Sequence, residues 1–428
     1  MRFAAVAAAA LLLAGCSTTP PPSPTLSPMP SATIVPSPSP SALPLPSASP
    51  SARPMAAGTV AQVLVDGLNI RTSASKDASA AGVVQAGQRV VIVSGPQQAD
   101  GFAWYEVTRG RDAARGWLAS GSVGEPWLAP VTNGGLAVRY REGARVGIGL
   151  VGADGAKPVV LEGQPTRLAW SPDGRRLAVA LPGVAPGSAE IFVMNADGSE
   201  RHRVADGSQF AWSPDSTRLV VPERDRLTLR SADDGQDVGR LPLRGLTSIA
   251  DLAWSPDSRR IAFSAAGSAA DARDIHVMRA DTGAQSRLTD AGRNDTPVWS
   301  PSANRLVFNS PEGVVISDPE GQDQRPLSDG RVSAGAWSPD GLFILVTRFG
   351  GLDAIDLRLL GSGTLAADDA STVVRSGSWS PDGARILFER AAKNGDAVQT
   401  WTAAADGSGA QQVPNAAGLG TWQAALGK

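Results

Sequence analysis

"AWSPDGRRLAVA" (residues 169–180) returns along this chain as "AWSPDSTRLVV", "AWSPDSRRIAFS", "VWSPSANRLVFN", "AWSPDGLFILV" and "SWSPDGARILFE". Its tryptophans, Trp170, Trp212, Trp254, Trp299, Trp337 and Trp379, stand 42, 42, 45, 38 and 42 residues apart. The stretch from Ser171 to Gly174 has the residues of a type I turn. Serine opens it, proline presets φ at the second place, aspartate is third, and the glycine is free to turn left-handed. β-rich runs such as "RLAVA" and "RILFE" follow, then a second apolar run ("IFVMNAD", "IHVMRAD", "VVISDPE"). A second turn marker closes that run at Asp154-Gly155, Asp197-Gly198, Asp234-Gly235, Gly283, Gly321 and Asp406-Gly407, and a short strand such as "SRLTD" ends the unit. Four strands at this period make one propeller blade.

The two ends set the number of blades. Residues 135–163, "GLAVRYREGARVGIGLVGADGAKPVVLEG", read as three strands of a unit that lacks its first. "GLGTWQAALGK" places Trp422 in a first-strand context, 43 residues after Trp379, with nothing behind it. Together they complete one blade, so the expected fold class is all-β, with a seven-bladed β-propeller over 134–428 closed by its C-terminal strand. Sharing a blade between the termini pairs strands that would otherwise be exposed edges. A six-bladed ring with a stray tail is the alternative. Each tryptophan then reads as a wedge between blades. Asp173, Asp215, Asp257, Asp340 and Asp382 read as turn residues, a blade apart and unable to converge on one ion.

The consensus "WSPDG…IAF…ADG…RLT" resembles the TolB-like, WD40-related (PD40) propeller repeats of bacterial envelope proteins, over some 290 residues. Two copies depart from it: "WSPSAN" (299–304) loses the Asp-Gly pair and "LLGSGT" (359–364) replaces the second marker. Ahead of the repeats, residues 58–128 show short strands with alternating apolar positions, as in Val90-Val91-Ile92-Val93 and Trp104-Tyr105-Glu106-Val107, the pattern of half-buried strands in a small barrel. "LNIR" (68–71), the turn between Gly82 and Gly87, "WYEV" (104–107) and "GW" (116–117) resemble a bacterial SH3 (SH3b) domain. That resemblance implies extracytoplasmic binding, often to peptidoglycan or other wall polymers. Trp104, Tyr105 and Trp117 are its candidate ligand residues; their other reading is barrel core and rim.

A single cysteine, Cys16, excludes a disulfide scaffold and a cysteine zinc site. Residues 1–15, "MRFAAVAAAALLLAG", have the basic start (Arg2) and short apolar core of a secretory signal peptide. "LAGC" (13–16) resembles the lipobox of bacterial lipoproteins, which implies cleavage before Cys16 and a lipid on its thiol. An ordinary signal peptide with a chance cysteine is the alternative. Residues 16–57 are a Pro/Ser-rich tether expected to be disordered. Extended near polyproline II, they would reach up to roughly 100 Å. Exported and lipid-anchored at the cell envelope is the expected location: the outer face of the cytoplasmic membrane, or the periplasm or outer membrane where the host has one.

A net charge of -2 gives no basic face for nucleic acid. Only two histidines exist, His202 and His276, in different repeats, and no G-x-S-x-G elbow appears. No catalytic residue, cofactor or metal is therefore expected. Positions shortly before the tryptophans vary: Arg167, Gln209, Asp251, Asp295, Ser333 and Arg375. Arg167, Asp251 and Arg375 are the candidate polar mouth of the propeller channel, with solvated charges as the other reading. The expected function is a non-catalytic, membrane-anchored scaffold that binds an envelope protein, the SH3b-like module touching the wall. A peptidoglycan or peptide sensor using that module as its primary site is the alternative, and a propeller enzyme is a third.

Overall fold

A computed structural model of the chain describes residues 54–110, 115–122, 125–152, 159–267, 272–328, 330, 332–395 and 397–426. The signal peptide, Cys16, all but the last residues of the tether, and the Asp154-Gly155 turn lie outside them. Among the described residues every regular element is a β-strand.

The N-terminal module is a small barrel. Its strands Val60–Val63, Arg89–Ala99, Phe102–Thr108, Gly116–Ala119, Leu68–Arg71 and Ala80–Val84 follow one another in the sheet. Val90 and Ile92 are buried while Val91 and Val93 are half-exposed, the alternation a strand with one inner face requires. Ala61, Val63, Ile70, Val84, Tyr105 and Leu118 complete the core.

Six four-stranded antiparallel sheets follow, each built from consecutive strands. Their first strands are Arg167–Trp170, Ala211–Trp212, Thr247–Trp254, Asp295–Trp299, Val332–Trp337 and Thr372–Trp379, the tryptophan last in every case. We number these blades 1 to 6. The seventh takes its first strand, Ala416–Leu426, from the C-terminus and its others, Leu128–Glu142, Arg145–Val151 and Val159–Glu162, from the start of the propeller. Trp422 stands opposite Leu136 and Thr421 opposite Ala137. Seven blades are present, and the orphan strands at the two ends find each other.

Apolar clusters between neighbouring blades close the ring. Ala137 and Ile148 of blade 7 pack with Trp170 and Val179 of blade 1, and Leu387 and Val413 of blade 6 pack with Leu136 and Val138 of blade 7. The five remaining junctions are filled in the same way. The tryptophans are the wedges. The indole N–H of Trp212 donates to the Ala169 carbonyl at 3.0 Å, that of Trp299 to Ala253 at 3.1 Å, and that of Trp337 to Val298 at 3.2 Å. Each of these three bonds lands one residue before the previous blade's tryptophan, whereas the indole nitrogens of Trp170, Trp254, Trp379 and Trp422 are buried without a partner among the described residues.

The turn after the tryptophan is built by its own side chains. Ser171 Oγ donates to Asp173 Oδ1 at 2.6 Å, and the amides of Arg175 and Arg176 donate to Asp173 Oδ1 and Ser171 Oγ at 3.0 Å each. Gly174 has φ 71°, and a Cβ there would overlap the Ala424 carbonyl. In blades 2, 3 and 4 the same place is held by Ser216, Ser258 and Ala303 at φ 65°, 61° and 60°, a conformation strained for any residue but glycine.

Barrel and propeller share a strand. Leu128–Glu142 pairs with Val60–Val63 at its start and with the two blade 7 strands further on. The five residues between the two expected spans, 129–133, are therefore sheet and not linker. The C-terminal strand runs on beyond the blade, placing Ala425 opposite Thr132 and Leu426 opposite Val131.

Candidate functional site: the two ends of the channel

The first strands surround a central cavity of about 460 Å³. At one end all seven tryptophans line it, together with the six turn prolines from Pro172 to Pro381. Gly87 and Arg89 of the barrel line the same space. A Cβ on Gly87 would overlap the Pro214 carbonyl, so the barrel turn lies directly on the blade 2 turn. Arg89 Nη2 donates to the Pro172 carbonyl at 3.4 Å, and burial lowers the guanidinium to about 10. On the other side of the barrel, Gly110 lies against Asp340 and Gly341 of blade 5. The SH3-like module caps the tryptophan end.

A few residues back along the same first strands the side chains are polar. Arg167 precedes Trp170 by three residues, about 10 Å along the strand. Its guanidinium lies 5.4 Å from the centre of the Phe210 ring. Burial pulls that guanidinium below its ordinary value, and the charge of Asp251, two blades away, opposes the shift. Asp251 Oδ2 accepts from Ser264 Oγ at 2.7 Å and from the Thr296 amide at 3.4 Å. Asp295 Oδ1 accepts from Asn309 Nδ2 at 2.7 Å and Thr296 Oγ1 at 2.9 Å. Asp251 and Thr296 have φ 54° and 52°, and the register slips beside both. Bulges of this kind re-aim side chains and gather at binding sites. Two buried atoms here lack a protein partner: the donor Arg167 Nε and the acceptor Gln209 Oε1.

The candidates named from sequence therefore divide. Arg167 and Asp251 are brought within electrostatic range of each other. Arg375 is exposed, with no hydrogen bond or ion pair among the described residues. Trp104 and Tyr105, 3% and 4% exposed, are core. Trp104 Nε1 donates to Ala99 O at 3.0 Å, and the Tyr105 hydroxyl accepts from the Met55 amide at 3.2 Å. Burial withdraws both from any ligand surface. Trp117 is half-buried beside Phe102 and Trp127, the barrel's remaining accessible aromatic cluster. His202 and His276 lie in separate blades, His276 stacked on Phe263 with ring centres 5.7 Å apart. Among the described residues no group of three or more His, Cys, Asp or Glu is placed to hold a metal ion. Sequence reasoning missed Arg89, which reads there as the start of an ordinary barrel strand.

Residues 244–424 match the family model of the TolB beta propeller domain, and residues 66–124 that of the bacterial SH3 domain. No curated protein matches the chain. Solved structures match the chain at low identity. TolB from Acinetobacter baumannii is 17% identical over 68% of this chain and 82% of its own, with a TM-score of 0.45. Oligogalacturonate lyase from Vibrio parahaemolyticus is 11% identical over 66% and 85%, with a TM-score of 0.48. The β-propeller domain of the trilobed protease from Pyrococcus furiosus is 12% identical over 76% and 96%, with a TM-score of 0.46. The chain joins a bacterial SH3 domain to a TolB beta propeller domain.

Proposed function

We propose that this protein is a non-catalytic binding scaffold of the cell envelope, anchored through a lipid on Cys16, whose propeller engages a protein partner at the polar end of its channel. A TolB beta propeller domain and a bacterial SH3 domain fit a protein-binding role at the envelope. One observation carries the choice of surface: Gly87 and Arg89 of the barrel occupy the tryptophan end, so a partner reaches the channel from the end bearing Arg167, Gln209, Asp251 and Asp295. That end offers a buried donor and a buried acceptor without protein partners. Unmet polar groups of this kind cost stability alone and reward a complementary ligand. The anchor rests on the one cysteine of the chain standing in "LAGC" after an apolar leader. Several acyl chains on one residue hold a protein stably where one does not.

A photoreactive amino acid at Gln209, in intact cells, tests the reading. A defined covalent adduct is expected at Gln209 and lost when Arg167→Ala and Asp251→Ala are combined. Absence of any adduct from Gln209 and from Asp295 contradicts it. A peptidoglycan sensor is the second reading, favoured by the accessible Phe102–Trp117–Trp127 cluster. Retention on purified peptidoglycan that Trp117→Ala abolishes would establish it in place of the first.

A further inference from the structure

The cavity at the tryptophan end contains a charge that neither the ring nor a partner at the polar end uses. Arg89, first residue of the barrel strand Arg89–Ala99, is the one charged residue among the described residues of its wall. Part of Arg89 remains accessible, and the space it borders is this cavity. Its guanidinium makes a single hydrogen bond among the described residues, from Nη2 to the Pro172 carbonyl at 3.4 Å, which is long for such a bond. A guanidinium has five N–H donors, so most of those on Arg89 have no protein acceptor. Burial lowers the group to about 10, and no carboxylate opposes that shift. The carboxylates of the two turns that the barrel touches here are engaged within those turns. Asp173 accepts from Ser171 Oγ and the Arg175 amide, and Asp215 from Ser213 Oγ and the Thr217 amide.

The rest of the wall is mostly apolar, built from the indoles of seven blades and the prolines of six turns. The indole nitrogens either donate to backbone carbonyls or are buried, so the rings present carbon to the space. Its volume of about 460 Å³ falls within the range of small-molecule pockets, roughly 300–1,000 Å³, and one placed charge in an aromatic wall is the composition of such a pocket. An unopposed buried charge is costly until an anion meets it. A guanidinium binds a carboxylate through two parallel N–H···O bonds. One cation also balances one negative charge. A phosphate monoester would bring close to two and leave the excess in an apolar space, so the charge count selects a carboxylate.

We propose that the capped cavity binds a small apolar carboxylic acid as its anion, with the carboxylate on Arg89 and the hydrocarbon body against the indoles. Neither module forms this site alone: the barrel supplies the charge and the propeller the apolar wall. It is independent of any partner at the polar end.

Tryptophan fluorescence of the purified chain, titrated with octanoate, 1-octanol and acetate, tests this. Octanoate should give a saturable change, 1-octanol should bind about ten-fold or more weakly, and acetate should leave the signal unchanged. Arg89→Gln should bring octanoate down to the level of 1-octanol and leave 1-octanol where it was, an effect that a purely structural arginine would not produce. Arg89→Lys, which keeps the charge, should retain a preference for the acid. The acid–alcohol comparison needs no variant, so it decides the matter even where Arg89→Gln fails to fold. The proposal is overturned by an absence of saturable octanoate binding, by equal affinity for octanoate and 1-octanol, or by an acid preference that survives Arg89→Gln.

Discussion

The two ends of the channel are lined by the same seven strands yet follow opposite rules. At the tryptophan end the chemistry is nearly uniform: an indole in all seven blades, followed in six of them by a serine, a proline and usually an aspartate, with the barrel laid across them. At the other end, a few residues back along the same strands, the residue changes between blades: Arg167, Gln209, Asp251 and Asp295 mix a cation, an amide and carboxylates. Uniformity is what a structural task imposes, because every junction of a ring must be filled in the same way. Variation accompanied by bulges and left-handed residues, as at Asp251 and Thr296, is what a binding surface leaves behind. The repeated motif, conspicuous in sequence, is the scaffold; the unrepeated positions beside it carry the specificity.

Substitutions sharpen this contrast, and the largest effect belongs to the uniform end. Trp212→Ala removes a buried wedge and its bond to Ala169, and should cost about 3–5 kcal/mol in denaturant unfolding. At the polar end Arg167→Ala loses chiefly its contact with the Phe210 ring, worth about 1 kcal/mol, so thermal unfolding should move little while partner capture falls. A wedge mutant as mild as the channel mutant would erase the distinction.

Between the two lies a pH effect. Burial holds His276 below its ordinary value, so the folded protein resists protonating it while the unfolded chain takes up a proton near pH 6.5. That contribution is fully present above this value and is lost as pH falls towards and through the lower folded one. Melting temperature should hold above about pH 7 and drop towards pH 5, and His276→Phe should flatten the drop. The smallest expected change is a gain. Ser258 holds φ 61° where blades 1, 5 and 6 have glycine, and its side chain makes no hydrogen bond among the described residues. Ser258→Gly should relieve strain and raise stability by about 1 kcal/mol.

Much of this was legible in the sequence. The tryptophan interval gave the blade, Ser-Pro-Asp-Gly gave its turn, and three strands without a first at one end matched a first strand without followers at the other. Repetition made these visible, since each feature could be checked against five copies. Contacts made once were not legible. Nothing in "QAGQRVVIV" tells that Gly87 and Arg89 face a propeller, because a barrel turn has the same glycine whether it meets solvent or protein. The boundary expected between 128 and 134 falls inside a single strand, because that strand has partners in both domains. Trp104 and Tyr105 could be core or surface, since alternation tells which residues share a face and not which face is covered. Arg167 and Asp251 were identifiable only as unlike residues at like positions.

The cap is the claim on which the choice of binding surface depends. A benzophenone amino acid in place of Arg89, irradiated in the purified protein and mapped by mass spectrometry, tests it directly. Crosslinks to peptides of the same chain that contain Pro172 or Pro214 are the expected result. Crosslinks confined to the barrel, or none within the chain, would mean that the tryptophan end stands open and that the polar end has lost its claim to the partner.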